Sequence, residues 1–313
     1  MTYTELAVSP MSFAGVFFLF LPHSRPCNNS PTLRSPFRRS SIVVLVALAL
    51  ALAHASALAQ ERAGRLVAVI GIPSEIAPVE ARLEAPVTTR IQGFVFTVGT
   101  VEGARIVVAR SGVGKVNAAI VATLLLDHYS PAAVLFTGTA GAVDKNLNPA
   151  DVVIGTAVGY HDFGSITDRG FNRSPTRDPV SGQVDPPFFP ADPALLGAAQ
   201  RAAKTVQPSR GPRTDGDAPG IREGVIVTGD AFVSAADRRN DLRSDLNAAA
   251  VEMEGAAVAQ VCFRYRVPFI VIRAITDRAD SQAQGSYQRF LDTASRNAAD
   301  LTLATIREFL KQP

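Results

Sequence analysis

Pro268-Phe269-Ile270-Val271-Ile272-Arg273-Ala274-Ile275-Thr276-Asp277 is the stretch whose reading decides the fold. Its first half is an unbroken apolar run, the pattern of a buried strand. Its last residue is a carboxylate. In an open α/β sheet, ligands bind where strands end, so an acid there is poorly placed for packing and well placed for chemistry. An Asp in that position also serves as a turn or cap residue, so its neighbours must decide. Just upstream, Val251-Glu252-Met253-Glu254 sets two more carboxylates at the expected start of a helix running to about Tyr265.

Outward from there, strand and helix patterns alternate. Arg65 to Ile70 is a continuous apolar run closed by Gly71. Phe94 to Val98 and Arg105 to Ala109 read as a meander pair with Glu102-Gly103 at the turn. Ser111-Gly112-Val113-Gly114-Lys115 runs into a helix from Val116 to Tyr129 with apolar residues at helical spacing. Ala133 to Thr137 is another buried strand, with Gly138-Thr139-Ala140-Gly141 expected as a turn at its end. Asp151 to Ala157 and Gly224 to Thr228 are further strands, and Phe290 to Leu310 is a closing amphipathic helix. Such alternation predicts a three-layer α/β/α sandwich around a mostly parallel sheet. Residues 162–221 break the pattern. They are rich in Pro, Gly, Asp and Arg, with one helix expected from Asp192 to Lys204, and read as a functional or disordered loop.

Residues 1–59 read as a leader, and residues 60–313 as the catalytic domain. Arg38-Arg39 precede an apolar run from Ile42 to Ala53, and Ala57-Leu58-Ala59 ends the segment before Gln60. That is the pattern of a secretory signal peptide, and it predicts a periplasmic or secreted protein. The run is short for a membrane span of about 20 residues, so no stable membrane anchor is expected after cleavage, although an uncleaved anchor is the competing reading. The 31 Lys+Arg and 28 Asp+Glu of the chain become 27 of each after Ala59. The basic excess therefore belongs to the leader and gives no sign of a nucleic-acid surface. Cys27 leaves with the leader. Cys262 stays, so the mature chain has no intramolecular disulfide.

The chemistry-bearing residues fall near strand ends. Glu75 follows the first strand, Glu252 and Glu254 flank Met253, and Asp277 closes the last strand. Cleaving a nucleoside bond needs such a set. An acid protonates the departing purine, a base deprotonates water, and carboxylate charge supports a cation-like sugar. Glu75 alone reads equally well as a helix-start residue. The glycine links at Ser111 and Gly138 offer backbone N–H groups near a helix start, but neither matches a phosphate-binding loop or a dinucleotide fingerprint. Phe232 just past a strand is placed to stack on a base, or to join the core. His161-Asp162 resembles metal-ligand material, but the chain has four His in all, so a metal cluster is not expected.

Taken in order, Ser111-Gly-Val-Gly-Lys-Val-Asn-Ala-Ala, Thr137-Gly-Thr-Ala-Gly, Tyr160-His161-Asp162, Thr228-Gly-Asp-Ala-Phe, Val251-Glu-Met-Glu and Arg273-Ala-Ile-Thr-Asp resemble the methylthioadenosine/S-adenosylhomocysteine nucleosidases of the purine nucleoside phosphorylase superfamily. The resemblance covers about Leu66 to Leu310. It implies a nucleoside phosphorylase-like fold with a central mixed, partly closed sheet, usually in a homodimer. It implies hydrolysis of an N-glycosidic bond without metal or organic cofactor, on a small-molecule nucleoside. Carried over by position, Asp277 is the acid at purine N7, with Thr276 beside it, and Glu75 is the base that activates water. Glu254 and the Met253 backbone bind ribose hydroxyls, Phe232 stacks on adenine, and the Val233 backbone reads the purine edge. Thr139, Ala140 and Gly141 lie beneath the sugar, and Val113 touches the 5' group. Departures are Thr139 and Ala142 where Ser and Gly are common, Pro73-Ser74 in place of an acidic pair, and a longer 162–221 connection.

Two other readings stay open on residues alone. A phosphorylase of the same superfamily needs a cation for phosphate, and Arg110 beside Ser111 is the candidate. An exported nucleoside-binding protein without turnover would have lost the acid or the base, and both are present.

Overall fold

The computed structural model describes residues 65–212 and 216–312. The proposed signal peptide and its cleavage point at Ala59 lie outside the described residues.

The first strand shows how the layers are made. In β1 (Val67–Gly71) all five residues are buried. Val67 and Val69 join one apolar cluster. Ala68 and Ile70 join another on the opposite face. A strand covered on both sides needs no polar residue, which is why the run is continuously apolar. One cover is α1 (Pro73–Glu80), α3 (Pro193–Ala202) and the 28-residue α6 (Ala283–Leu310). The other is α2 (Lys115–Tyr129) and α5 (Gly255–Tyr265). Both clusters draw on the same central strands, giving the three-layer sandwich.

The remaining strands of the main sheet are β2 (Glu84–Ile91), β3 (Phe94–Val101), β4 (Ala104–Arg110), β5 (Ala133–Ala142), β6 (Val152–Tyr160), β9 (Phe189–Pro190), β10 (Ile221–Thr228), β11 (Ala248–Glu252) and β12 (Phe269–Asp277). Their order is β11-β10-β6-β12-β5-β1-β4-β3-β2, with β9 on β6. β1 pairs in parallel with β4 and β5, and β12 with β5. β11 pairs in parallel with β10 and antiparallel with β5. That second pairing partly closes the sheet on itself and draws the ends of β5, β11 and β12 together.

Several expectations need correction. The meander has a third strand, β2, exposed over nearly its whole length, so no apolar alternation marked it. Val251-Glu252 ends a strand, and the helix begins only at Gly255. Glu252 makes the break, its Oε2 accepting the N–H of Glu254 at 3.1 Å and of Gly255 at 2.7 Å. Gly138 to Gly141 is no turn, because β5 continues to Ala142. The glycines are needed for close approach: a Cβ at Gly138 would collide with Arg273 Nη1 and Glu75 Oε2. Within 162–221 the chain forms a hairpin, β7 (Gly164–Thr167) with β8 (Gly170–Arg173), besides β9 and α3. The remaining helix, α4 (Ala236–Leu246), is mostly exposed. Cys262 is buried in α5 as a free thiol.

Candidate active site

Five strand ends contribute to one cavity of about 180 Å³. Ile72 and Glu75 come from the turn after β1, Thr139, Ala140 and Gly141 from β5, and Phe232 from beyond β10. Val251 and Glu252 end β11, Met253 and Glu254 follow it, and Thr276 and Asp277 end β12. Val113 reaches in from the glycine link, and Gln284 and Tyr287 from α6.

Glu75 stands in the first turn of α1, which Pro73 opens at a position where its missing N–H costs nothing. The helix-start reading describes its place in the chain but not its environment. Only 4% of the residue is exposed, and it accepts a hydrogen bond from the Thr139 hydroxyl. Burial pushes its pKa above the ordinary carboxylate value, while the nearby Arg273 charge and hydrogen bonds from Thr139 pull it back.

Asp277 is 1% exposed and is also shifted upward by burial. The N–H of Ala279 at 2.9 Å and the hydroxyl of Thr276 at 2.8 Å oppose that shift. The charged neighbour acting on it is Asp280, another carboxylate. The two acids therefore differ in surroundings. Glu75 has a cation close by that favours its ionised form. Asp277 has no cation acting on it, so burial and Asp280 both favour its protonated form.

Glu254 is pushed up to about 7, by burial first and then by Glu252, against Arg273 and the N–H of Gly114. That N–H donates to Glu254 Oε1 at 2.7 Å. Glu252 is committed elsewhere. It accepts the Thr228 hydroxyl, and Arg273 Nη2 donates to it at 2.5 Å.

Arg273 is a buried charge beside the site that the sequence reading does not single out. It is 1% exposed, lies 4.0 Å from the Phe136 ring centroid, and has Glu254 at 3.9 Å. A usable signal existed: an Arg inside an apolar strand requires a buried carboxylate partner. Tyr287 and Gln284 were also missed. They lie in the first turns of α6, which starts at Ala283, seven residues before the helix expected from Phe290, so the sequence reading placed them outside the helix.

Phe232 is 44% exposed and meets Tyr287 edge-on, 6.3 Å between centroids at 81°. It is not a core residue. Val233 does not line the cavity, and its side chain packs on the small cluster around Val227 and Leu242. Val113 is 55% exposed at the cavity margin. Arg110, the candidate phosphate cation, forks onto Glu80 with two bonds of 2.7 Å. His161 is buried against Arg238, with Nδ1 at 3.1 Å, and burial lowers its pKa.

Residues 65–307 match the family model of the phosphorylase superfamily. The chain is 38% identical over 246 residues to a 5'-methylthioadenosine/S-adenosylhomocysteine nucleosidase of Bacillus cereus (strain G9842), covering 77% of this chain and 98% of that one. The same enzyme from Neisseria meningitidis, in complex with methylthio-immucillin-A, is similar in structure, with a TM-score of 0.66 and 36% identity over 78% of this chain and 99% of that one. A futalosine hydrolase of Helicobacter pylori reaches a TM-score of 0.65 at 28% identity, covering 78% and 98%.

Proposed function

The chain belongs to the phosphorylase superfamily and, within it, to the 5'-methylthioadenosine/S-adenosylhomocysteine nucleosidases, and on that premise we propose that its cavity hydrolyses the N-glycosidic bond of an adenosine-type nucleoside to adenine and the free sugar. The observation that carries this reading is the pair of buried carboxyl groups in one small cavity, Glu75 with a cation beside it and Asp277 without one. Such a pair divides base and acid work between two groups of the same type.

Asp277 protonates the purine as it leaves, and Thr276 orients the carboxyl. Glu75 takes a proton from the attacking water. Arg273 opposes the effect of burial on Glu75, favouring its ionised form, and neutralises Glu252. Glu254 and the Met253 backbone hold the sugar hydroxyls, with Thr139, Ala140 and Gly141 beneath, and Phe232 covers the base. About 180 Å³ is small beside the roughly 300–1,000 Å³ of ordinary ligand pockets. Base and sugar fill it, and the 5' substituent passes out beside Val113.

Water rather than phosphate is the favoured nucleophile. Arg110 is spent on Glu80, Arg273 on Glu252, and the Glu75 carboxylate repels an anion. The test is adenine release by protein beginning at Gln60 from methylthioadenosine, S-adenosylhomocysteine and adenosine, with and without phosphate. Release that needs phosphate would make the protein a phosphorylase. Tight binding without release would make it a nucleoside-binding protein.

Homodimer formation is part of the proposal. Its support is the exposed apolar side chains of α2 and α5, including Val116 at 69%, Phe263 and Tyr265. Sedimentation of a monomer at micromolar concentration would reject it. Export past a signal peptide is the proposed location, supported by residues 38–59 of the sequence. Amino-terminal sequencing of the mature protein tests the cut after Ala59.

A further inference from the structure

Two loops that wall the cavity, carrying Val113 and Phe232, are tied to the segment after β6 at a point outside it. The Asp162 carboxylate, just beyond β6, receives the Lys115 ammonium on both oxygens at 2.8 Å. It also accepts the Asp230 N–H at 2.8 Å. Asp230 in turn accepts the backbone N–H of Lys115 at 2.8 Å, and its other oxygen lies 3.5 Å from the ammonium. Lys115 and Asp162 are mostly buried, and the ammonium lies 5.5 Å from the Tyr160 ring centroid. None of the three side chains lines the cavity.

What they hold is next to it. Lys115 begins α2, whose N-cap position Gly114 has no side chain to satisfy the helix's first N–H groups. Two carboxylates from distant strands do so instead, Asp230 for Lys115 and Glu254 for Gly114. Gly114 has φ +91°, and a Cβ there would press on Asp230 Oδ1 at 3.1 Å. Two residues before Lys115 is Val113, and two residues after Asp230 is Phe232. Phe232 also meets Tyr287 edge-on.

We infer that Lys115, Asp162 and Asp230 form a clasp of positioning residues that sets the Phe232 and Val113 walls around the nucleoside and thereby tunes substrate affinity. The inference rests on the nucleosidase reading of the cavity. Loosening the clasp leaves Glu75 and Asp277 in place, because both are held by other partners, so the effect falls on binding. Lys115→Met keeps the aliphatic stem and removes the charge. It is expected to raise KM for methylthioadenosine about tenfold while kcat changes less than about threefold. Asp162→Asn should act in the same direction, and Lys115→Arg should restore most of the affinity.

The readout that needs no ligand is hydrogen exchange over residues 111–115 and 229–233, which should speed up in Lys115→Met and Asp162→Asn but not elsewhere in the sheet. Unchanged exchange in those two segments overturns the clasp, as does a fall in kcat at constant KM. Global loss of protection means the pair is merely structural and also counts against it, with Lys115→Arg showing whether charge alone is at issue. If the parent protein releases no adenine, the nucleosidase reading fails, and the exchange data still judge the clasp.

Discussion

The guanidinium of Arg273 donates to Glu252 at 2.5 Å, with both side chains almost fully buried. This pair sits between the strand ends that supply the candidate base and the sugar-binding carboxylate. A buried ion pair gives little net stability, but losing one partner strands the other. Arg273→Gln should therefore lower unfolding free energy by about 3–5 kcal/mol. Chemical denaturation checks this, and a loss under about 1 kcal/mol would mean that the pair is not dry.

Asp277 has the surroundings of a proton donor. In Asp277→Asn the amide cannot deliver a proton to the leaving base. Adenine release should fall by about 100- to 10,000-fold in kcat while adenine still binds. Near-normal turnover would remove Asp277 from the acid role.

The Thr139 hydroxyl, like Arg273, lowers the Glu75 pKa against the rise that burial causes. Thr139→Val deletes that hydrogen bond and raises the Glu75 pKa. A base works only when deprotonated, so the acid-side limb of the pH–rate profile should move to higher pH. In Thr139→Ser, which keeps the hydroxyl, it should stay put. An unmoved limb in the valine variant would separate Thr139 from the base.

Glu254 carries a folded-state pKa of about 7 against an ordinary value of 4.5. Between those values the folded protein binds more protons than the unfolded chain, so stability falls as pH rises. This contribution is fully present below about 4.5 and gone once pH passes about 7. Glu254→Gln should flatten the decline of Tm between pH 5 and 8. A decline as steep as the parent's would place the titration on other groups.

Phe232 is 44% exposed at the cavity and meets Tyr287 edge-on. Phe232→Ala should raise KM more than it lowers kcat if the ring only stacks on the base. Steady-state kinetics on methylthioadenosine decide this, and an unchanged KM would count against stacking.

The sandwich was legible in the sequence because buried strands and amphipathic helices write their environment into local periodicity. Runs such as Val67 to Ile70 and Phe269 to Ile272 need a layer on each side, and they have one. Strand-end acids were legible for a related reason: a carboxylate at the close of an apolar run has little to gain from packing. β2 was not, since a nearly fully exposed strand carries no apolar alternation. Nor was the break after Glu252, because the short run Ala248 to Val251 suits a strand or a helix until its partners are known.

The sequence by itself determined the layers, the order of the main strands along the chain and the acids at strand ends, all set by neighbours a few residues apart. Only the tertiary structure decided which acid has a cation beside it. That depends on the β12–β5 pairing, which sets Arg273 opposite Gly138, and on the bare glycine there, which let Arg273 and Glu75 share one dry site across about 200 positions of chain. Charge state in a buried site is a property of distance and desolvation, and neither is written in local order.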